Sequence, residues 1–350
     1  MRVLVVGDSY MPASVFAAAF APLGGSVMLT ELQIDRADAP PPRTESERGL
    51  REYAGDPADV AAAVAGHEVL VVHGAPVTAE VLDAAPLRLV CCARGGPVNV
   101  DVAAATARGV PVAFAPGKNA RAVAELTLAF ALMLIRHAPA AARRLLDGGP
   151  HAESAFEGRE FIGREAAGVT LGLVGLGHVG REVALRARPL GFTVLAYDPV
   201  QPAVIPAGVD MVPFEDLLSR SDIVSVHARA TPDNRHLFGA AAFARMPRGA
   251  FFINTARESL VDEDALRQAL TSGALAGAAL DVAESPPAGT RHPLLDLPNV
   301  IITPHIGGAT RETLRRGAEL TAAAVAALAS GGVPDHLVNP QVLAHRVAAS

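Results

Sequence analysis

The hydrophobic positions of this chain fall into short runs, apolar on both faces, that alternate with longer stretches rich in Ala and Leu. Residues 3–6, 69–72, 89–91, 171–174, 194–197, 223–226, 251–253 and 300–302 form such runs, several of them bounded by Gly, Pro or Asp. Runs of this kind suit parallel strands covered by helices on both faces. The pattern therefore predicts an α/β fold of right-handed βαβ units with doubly wound parallel sheets. Two polar stretches interrupt it. Residues 35–56 contain Pro40-Pro41-Pro42 and read as a surface excursion, and residues 147–164 carry Gly148-Gly149-Pro150 and read as a long loop. One continuous helix is expected from about 121 to 146, with a hinge just before it at Ala115-Pro116-Gly117.

Composition narrows the class. A length of 350 residues suggests two domains, and 50% hydrophobic with 19% charged residues excludes a disordered or fibrous chain. A net charge of −6 gives no general attraction for nucleic acid or an anionic membrane. The only cysteines, Cys91 and Cys92, are adjacent and cannot build a disulfide framework, so a reducing cytoplasm is the expected compartment. The apolar stretch 126–135 is about half of the ~20 residues of a spanning helix and is bracketed by Glu125 and Arg136, as in a buried helix. The N-terminal apolar run ends at a turn without a small-residue cleavage site and reads as a first strand. No metal-ligand set is assigned.

The clearest chemistry lies at Gly175-Leu176-Gly177-His178-Val179-Gly180, between a predicted strand and a predicted helix. In this G-x-G-x-x-G, the first glycine permits a tight turn and the second lets backbone approach a pyrophosphate. The third lets the helix pack closely, and the helix N-terminus offers free N–H groups to phosphate. Asp198 ends the next strand, 18 residues past Gly180. An acid there accepts hydrogen bonds from ribose hydroxyls and repels a 2′-phosphate, which favours NAD over NADP. The bland alternative is that Asp198 merely starts the turn with Pro199.

Further ordered motifs follow: Ala122-Val123-Ala124-Glu125, Asn254-Thr255-Ala256-Arg257, Ala279-Leu280-Asp281-Val282 and Pro304-His305-Ile306-Gly307-Gly308-Ala309-Thr310. With the glycine loop they make the chain resemble the D-isomer-specific 2-hydroxyacid dehydrogenases, a family that includes phosphoglycerate and glycerate dehydrogenases. The resemblance implies two Rossmann-like domains: a split substrate domain, 1–117 plus 305–350, with an NAD-binding domain, 118–304, inserted into it. It implies hydride transfer between NAD(H) and C2 of a D-2-hydroxy acid or 2-keto acid in a cleft between the domains, and a homodimer built partly on the 121–146 helix. It also implies residue roles. Arg257 binds the substrate carboxylate and polarises the keto oxygen, which suits a planar, permanently charged guanidinium. His305 exchanges a proton with that oxygen, which suits an imidazole whose unperturbed pKa is ~6.5. Arg94, Gly95 and Gly96 match the loop that holds the substrate carboxylate. Thr255, Ala256, Asp281 and Gly307 border the cofactor, with Asp281 on its nicotinamide side. The remaining histidines read as bland loop or helix-face residues.

One departure stands out. The family's glutamate partner of the catalytic histidine falls on Pro286, and proline can neither take a proton nor orient an imidazole. Glu258 or Glu284 is a candidate substitute; otherwise both are solvated acids. Lys118, Arg94 and Arg229 are extra positive groups that suggest an elongated anionic substrate such as a sugar acid or a phosphorylated acid. Two other readings compete. The first is a non-catalytic NAD(H)-sensing scaffold of the same fold. The second is a serine esterase built on Gly7-Asp8-Ser9 with Asp233 and His236, which leaves every motif from 170 to 310 unused.

Overall fold

In the computed structural model, which describes residues 1–34, 39–148, 155–287 and 289–343, the chain divides into two compact units, Met1–Lys118 with Thr310–Ser350, and Asn119–Ala309. Each is a parallel sheet with a hydrophobic layer on both faces.

The first unit holds β1 (Arg2–Asp8), β2 (Met28–Ile34), β3 (Val69–Val72), β4 (Leu89–Cys92) and β5 (Val112–Phe114) in the order β2-β1-β3-β4-β5. Alternate side chains of β1, β3 and β4 feed two separate cores. Leu4, Val6, Leu70, Val72 and Val90 pack on one face; Val3, Val5, Val69, Val71, Leu89 and Cys91 pack on the other, against the helices Ala13–Phe20 and Arg311–Ala329. The tail returns to the edge of β5. There the Asn339 side chain accepts from Val112 N (2.8 Å) and donates to Val110 O (3.0 Å).

The second unit holds β6 (Thr170–Val174), β7 (Thr193–Tyr197), β8 (Val209–Met211), β9 (Ile223–Val226), β10 (Ala250–Asn254), β11 (Leu275–Leu280) and β12 (Val300–Ile302). Their order is β12-β11-β10-β9-β6-β7-β8, all pairs parallel. The chain runs outward from β6 to β8, then restarts at β9 on the other side of β6. That reversal makes a crevice at the carboxyl ends of β6 and β9, where open α/β sheets bind ligands.

All eight predicted runs are strands. The edge strand β2 escaped notice because it is largely exposed and carries Thr30, Glu31 and Gln33. β5 and β8 are only three residues long. β11, expected only as an apolar strand ending at Asp281, is Ala/Gly-rich and weak in strand propensity. The helix expected over 121–146 is two helices, Ala120–Ile135 and Ala138–Leu146, bent by 71°. Pro139 explains the break, since its ring would collide with the carbonyl of Ile135 in a continuous helix. That carbonyl instead accepts from Arg164 N at 2.8 Å, and His137 takes a left-handed φ of +52°. No single helix among the described residues is long and apolar enough to cross a membrane. Of the two polar interruptions, residues 35–38 and 149–154 lie outside the described residues, as do 344–350.

Packing on β6 is tight. A Cβ on Gly172 would stand 2.2 Å from Ser221 Oγ and 2.8 Å from Leu217 Cδ2, both packed over the strand. Gly172→Ala is expected to cost about 1–3 kcal/mol by overpacking, read as a lower denaturant midpoint with an unchanged slope. A midpoint equal to wild type would show that this face can relax.

Candidate active site

The glycine turn follows β6 and opens the helix His178–Ala187. Gly175 has φ +102°, and a Cβ there would strike Ala228 N and the His227 carbonyl carbon at 2.7 Å. A Cβ on Gly180 would lie 2.1 Å from Gly175 O, so only glycine lets this helix sit on the turn. At Gly177 a Cβ would meet nothing within 4 Å, so the space before the helix is open. No side chain caps that helix and no acid stands in its first turn, which leaves backbone N–H groups free for an anion. His178 is exposed and Val179 half-buried at this end. Asp198 latches the turn: its Oδ2 accepts from Leu176 N (2.8 Å) and its Oδ1 from Val200 N (3.0 Å). Each oxygen keeps a further acceptor position for a ribose hydroxyl. These residues fit a dinucleotide: a bare helix N-terminus for pyrophosphate and an anchored acid for ribose.

Three neighbouring strands present the other candidates at the same carboxyl edge. Arg257 follows β10, Asp281 follows β11, and His305 follows β12. Two buried polar side chains shape these ends. Asn254, 1% exposed, accepts from Ala256 N (3.0 Å) and donates to Arg257 O (2.9 Å), closing the turn that carries Arg257. Asp281, 2% exposed, accepts from Thr303 Oγ1 (2.6 Å), Ile306 N (2.8 Å) and Gly307 N (2.7 Å). The Asp281 carboxylate thus wraps the segment that carries His305. The backbone joins the two devices, since Asp281 N donates to Asn254 O at 2.9 Å. His305 itself sits at φ +56°, held by its N–H to Asp281 O (2.9 Å). Such a conformation is uncommon outside glycine.

Residues 128–307 match the NAD binding domain of the D-isomer specific 2-hydroxyacid dehydrogenases. The chain is 39% identical over 276 residues to the glyoxylate reductase of Korarchaeum cryptofilum (strain OPF8), which covers 77% of this chain and 81% of that protein. The chain belongs to the D-isomer specific 2-hydroxyacid dehydrogenase family. It is also 41% identical over 250 residues to the D-3-phosphoglycerate dehydrogenase of Archaeoglobus fulgidus, covering 70% of this chain and 46% of that one. The chain therefore spans about half the length of the phosphoglycerate dehydrogenases it matches. The crystal structure of the TT0316 protein from Thermus thermophilus, 33% identical, superposes with a TM-score of 0.75 over 97% of this chain and 100% of that one. The family's cofactor is an NAD-type dinucleotide, in keeping with the glycine turn.

Against that family pattern, several side chains stand where the sequence did not lead. Asp281, expected on the nicotinamide side of the cofactor, also binds the 303–307 segment through both carboxylate oxygens. Gly307, expected beside the cofactor, is required by the same clamp, since a Cβ there would meet Asp281 Oδ2 at 2.7 Å. Thr255 bonds Thr127 Oγ1 (3.1 Å), and Ala256 is half-buried beside it. Among the described residues, no carboxylate lies within ion-pair distance of the exposed His305 ring. Glu258 and Glu284 are both exposed, and neither is paired with His305 in this structure. Arg257 is exposed and one Nη donates to Ala256 O (2.7 Å), which leaves the rest of its fork free.

In the first unit, Arg94, Gly95 and Gly96 follow β4. Arg94 is bound by the Glu52 carboxylate, while a Cβ on Gly95 or Gly96 would meet nothing within 4 Å. Three histidines read as bland are built in. His73 Nδ1 bonds Asp8 Oδ2 (2.8 Å), His292 Nε2 bonds Glu263 Oε2 (3.0 Å), and His227 bonds Ser225 Oγ (2.9 Å) beside the glycine turn. Burial pushes the His227 ring down to about 3, so it stays neutral at physiological pH. Adjacency to a strand end was the one signal that marked His73 and His227. Ser9 is exposed and its hydroxyl bonds no described residue, so the esterase reading has no activated nucleophile.

Asp281→Asn keeps the shape but turns an amide N–H toward Ile306 N or Gly307 N, setting donor against donor. Misplacement of His305 is expected to lower kcat about 10- to 100-fold with NADH affinity, measured by fluorescence, within threefold of wild type. Loss of NADH binding in step with kcat would instead give Asp281 a direct cofactor role.

Proposed function

We propose that the chain is an NAD-dependent dehydrogenase that interconverts a D-2-hydroxy acid and its 2-keto acid, within a class that extends to sugar acids and phosphoglycerate-like substrates. The observation that carries the reading is the shared edge of β10, β11 and β12, where a guanidinium and an imidazole stand on segments tied together by Asn254 and Asp281. Arg257 binds the substrate carboxylate and, through its remaining N–H groups, polarises the keto oxygen. His305 gives its proton to that oxygen during reduction and takes it back during oxidation. The free N–H groups of Gly95 and Gly96 hold the carboxylate. Gly175, Gly177, His178, Val179, Gly180 and Asp198 hold the pyrophosphate and ribose, and Thr255, Ala256 and Gly307 line the remaining cofactor path. When bound, the nicotinamide supplies or accepts hydride at C2 of the substrate. Residues 1–117 and 305–350 then form the substrate domain and 118–304 the NAD-binding domain.

A homodimer is proposed as well, resting on the exposed apolar side chains Leu132, Met133, Leu145 and Leu146 of the two helices on either side of His137. Two buried free thiols suit a reducing cytoplasm.

A screen of glyoxylate, pyruvate, hydroxypyruvate and 3-phosphohydroxypyruvate with NADH and NADPH tests the function. NADH oxidation with at least one of them is expected, reduced ~10²–10⁴-fold in His305→Gln. Tight NADH binding without any turnover would instead mark a cofactor sensor. Pro286→Glu restores the family's carboxylate and is expected to raise kcat about 3- to 10-fold as it strengthens general-acid transfer. An unchanged or lower kcat would mean that this chain has settled into catalysis by an unassisted imidazole.

A further inference from the structure

Lys118 is the single lysine among the 350 residues and has no part in the dehydrogenase chemistry described so far. It follows β5, at the carboxyl edge of the five-stranded sheet. It is 7% exposed, and its Nζ makes no hydrogen bond or ion pair with any described residue. An ammonium buried without a counter-ion is costly and correspondingly rare.

The charged groups around it already have hydrogen-bond partners of their own. Arg94 is bound by Glu52. Asp8 is taken up by His73 Nδ1 (2.8 Å), by Gly74 N (2.8 Å) and by the N–H groups of Tyr10 and Met11. Burial alone would raise the Asp8 carboxyl, but these partners hold it below the usual carboxylate range. Burial pushes the Cys92 thiol up to about 11, which leaves it neutral. Burial brings the Lys118 ammonium down to about 8, with Arg94 pushing the same way and Cys92 and the Asp8 carboxylate opposing it from a distance.

The lysine is nonetheless built into place. Its carbonyl is gripped by Arg316 Nε at 2.8 Å. Its stem runs past Gly317, where a Cβ would stand 3.1 Å from Lys118 Cδ and 3.5 Å from Nζ. A glycine in the middle of a helix costs stability relative to alanine, and here it makes room for the lysine. β5, which leads to Lys118, is paired with β4, which leads to Gly95 and Gly96.

From this closely housed amine, which no described side chain pairs with directly, we infer that Lys118 is the counter-charge for a second anionic group of the substrate, a carboxylate or phosphate carried at the end away from C2. The inference rests on the dehydrogenase reading, with Gly95 and Gly96 taking the first carboxylate. Lys118 is then the residue that makes the enzyme prefer dianionic 2-keto acids to short monoanionic ones.

Two measurements test it. Selective 13Cε,15Nζ-lysine labelling gives one side-chain signal, because the chain has one lysine. Its titration midpoint is expected to rise by about one pH unit or more when malonate or inorganic phosphate is added; the anion that acts at lower concentration identifies the distal group. A midpoint that neither anion moves would overturn the proposal. In kinetics, the ratio of kcat/KM for oxaloacetate or 3-phosphohydroxypyruvate to that for glyoxylate is expected to fall about 10- to 100-fold in Lys118→Met and to be largely kept in Lys118→Arg. A ratio within threefold of wild type in Lys118→Met would contradict the assignment. Absence of turnover with every keto acid would sink the dehydrogenase reading, while the amine titration still decides the anion site.

Discussion

The buried carboxylate of Asp281 is the constraint on which the second unit's chemistry depends. Three donors from the 303–307 segment converge on it, and a carboxylate that accepts such bonds away from water is worth more than any one of them suggests. Without that anchor, the five-residue stretch that includes His305 at φ +56° keeps only a few backbone hydrogen bonds. Asn254 does for the Arg257 turn what Asp281 does for the histidine segment, and a single backbone hydrogen bond joins the two. The exposed groups are thus positioned by buried ones. Precision comes from the strand ends, where the sheet fixes the spacing, and not from the exposed side chains themselves.

How legible this was depended on the range of the interactions. The glycine turn could be read because each glycine answers a backbone requirement within a few residues: a left-handed φ at 175, an open approach at 177, a helix-on-turn contact at 180. Parallel strands were legible because residues buried on both faces leave continuous apolar runs. The role of Asp281 was not, because its partners lie 22 to 26 residues away and nothing local distinguishes a clamp from a ligand. The Asp8–His73 pair spans 65 residues and was missed for the same reason. The broken helix was an error of weighting: the apolar pattern continues through Pro139, but the proline ring prevails over it.

The family pattern and the chain part company at Pro286. In the proposed reading, a histidine without a carboxylate relies on its backbone, which here has a left-handed φ in a segment bound by Asp281. A lysine buried without a direct ion pair is costly, and its placement beside the Gly95–Gly96 strand end suits the proposed substrate charged at both ends.

In the proposed reading, Arg257 as carboxylate ligand and His305 as proton donor together hold one face of a keto acid toward the cofactor. Chiral analysis of the 2-hydroxy acid formed from hydroxypyruvate and NADH tests this most directly. A single D enantiomer is the expected product. An L or racemic product, or no product from an enzyme that binds NADH, would contradict it.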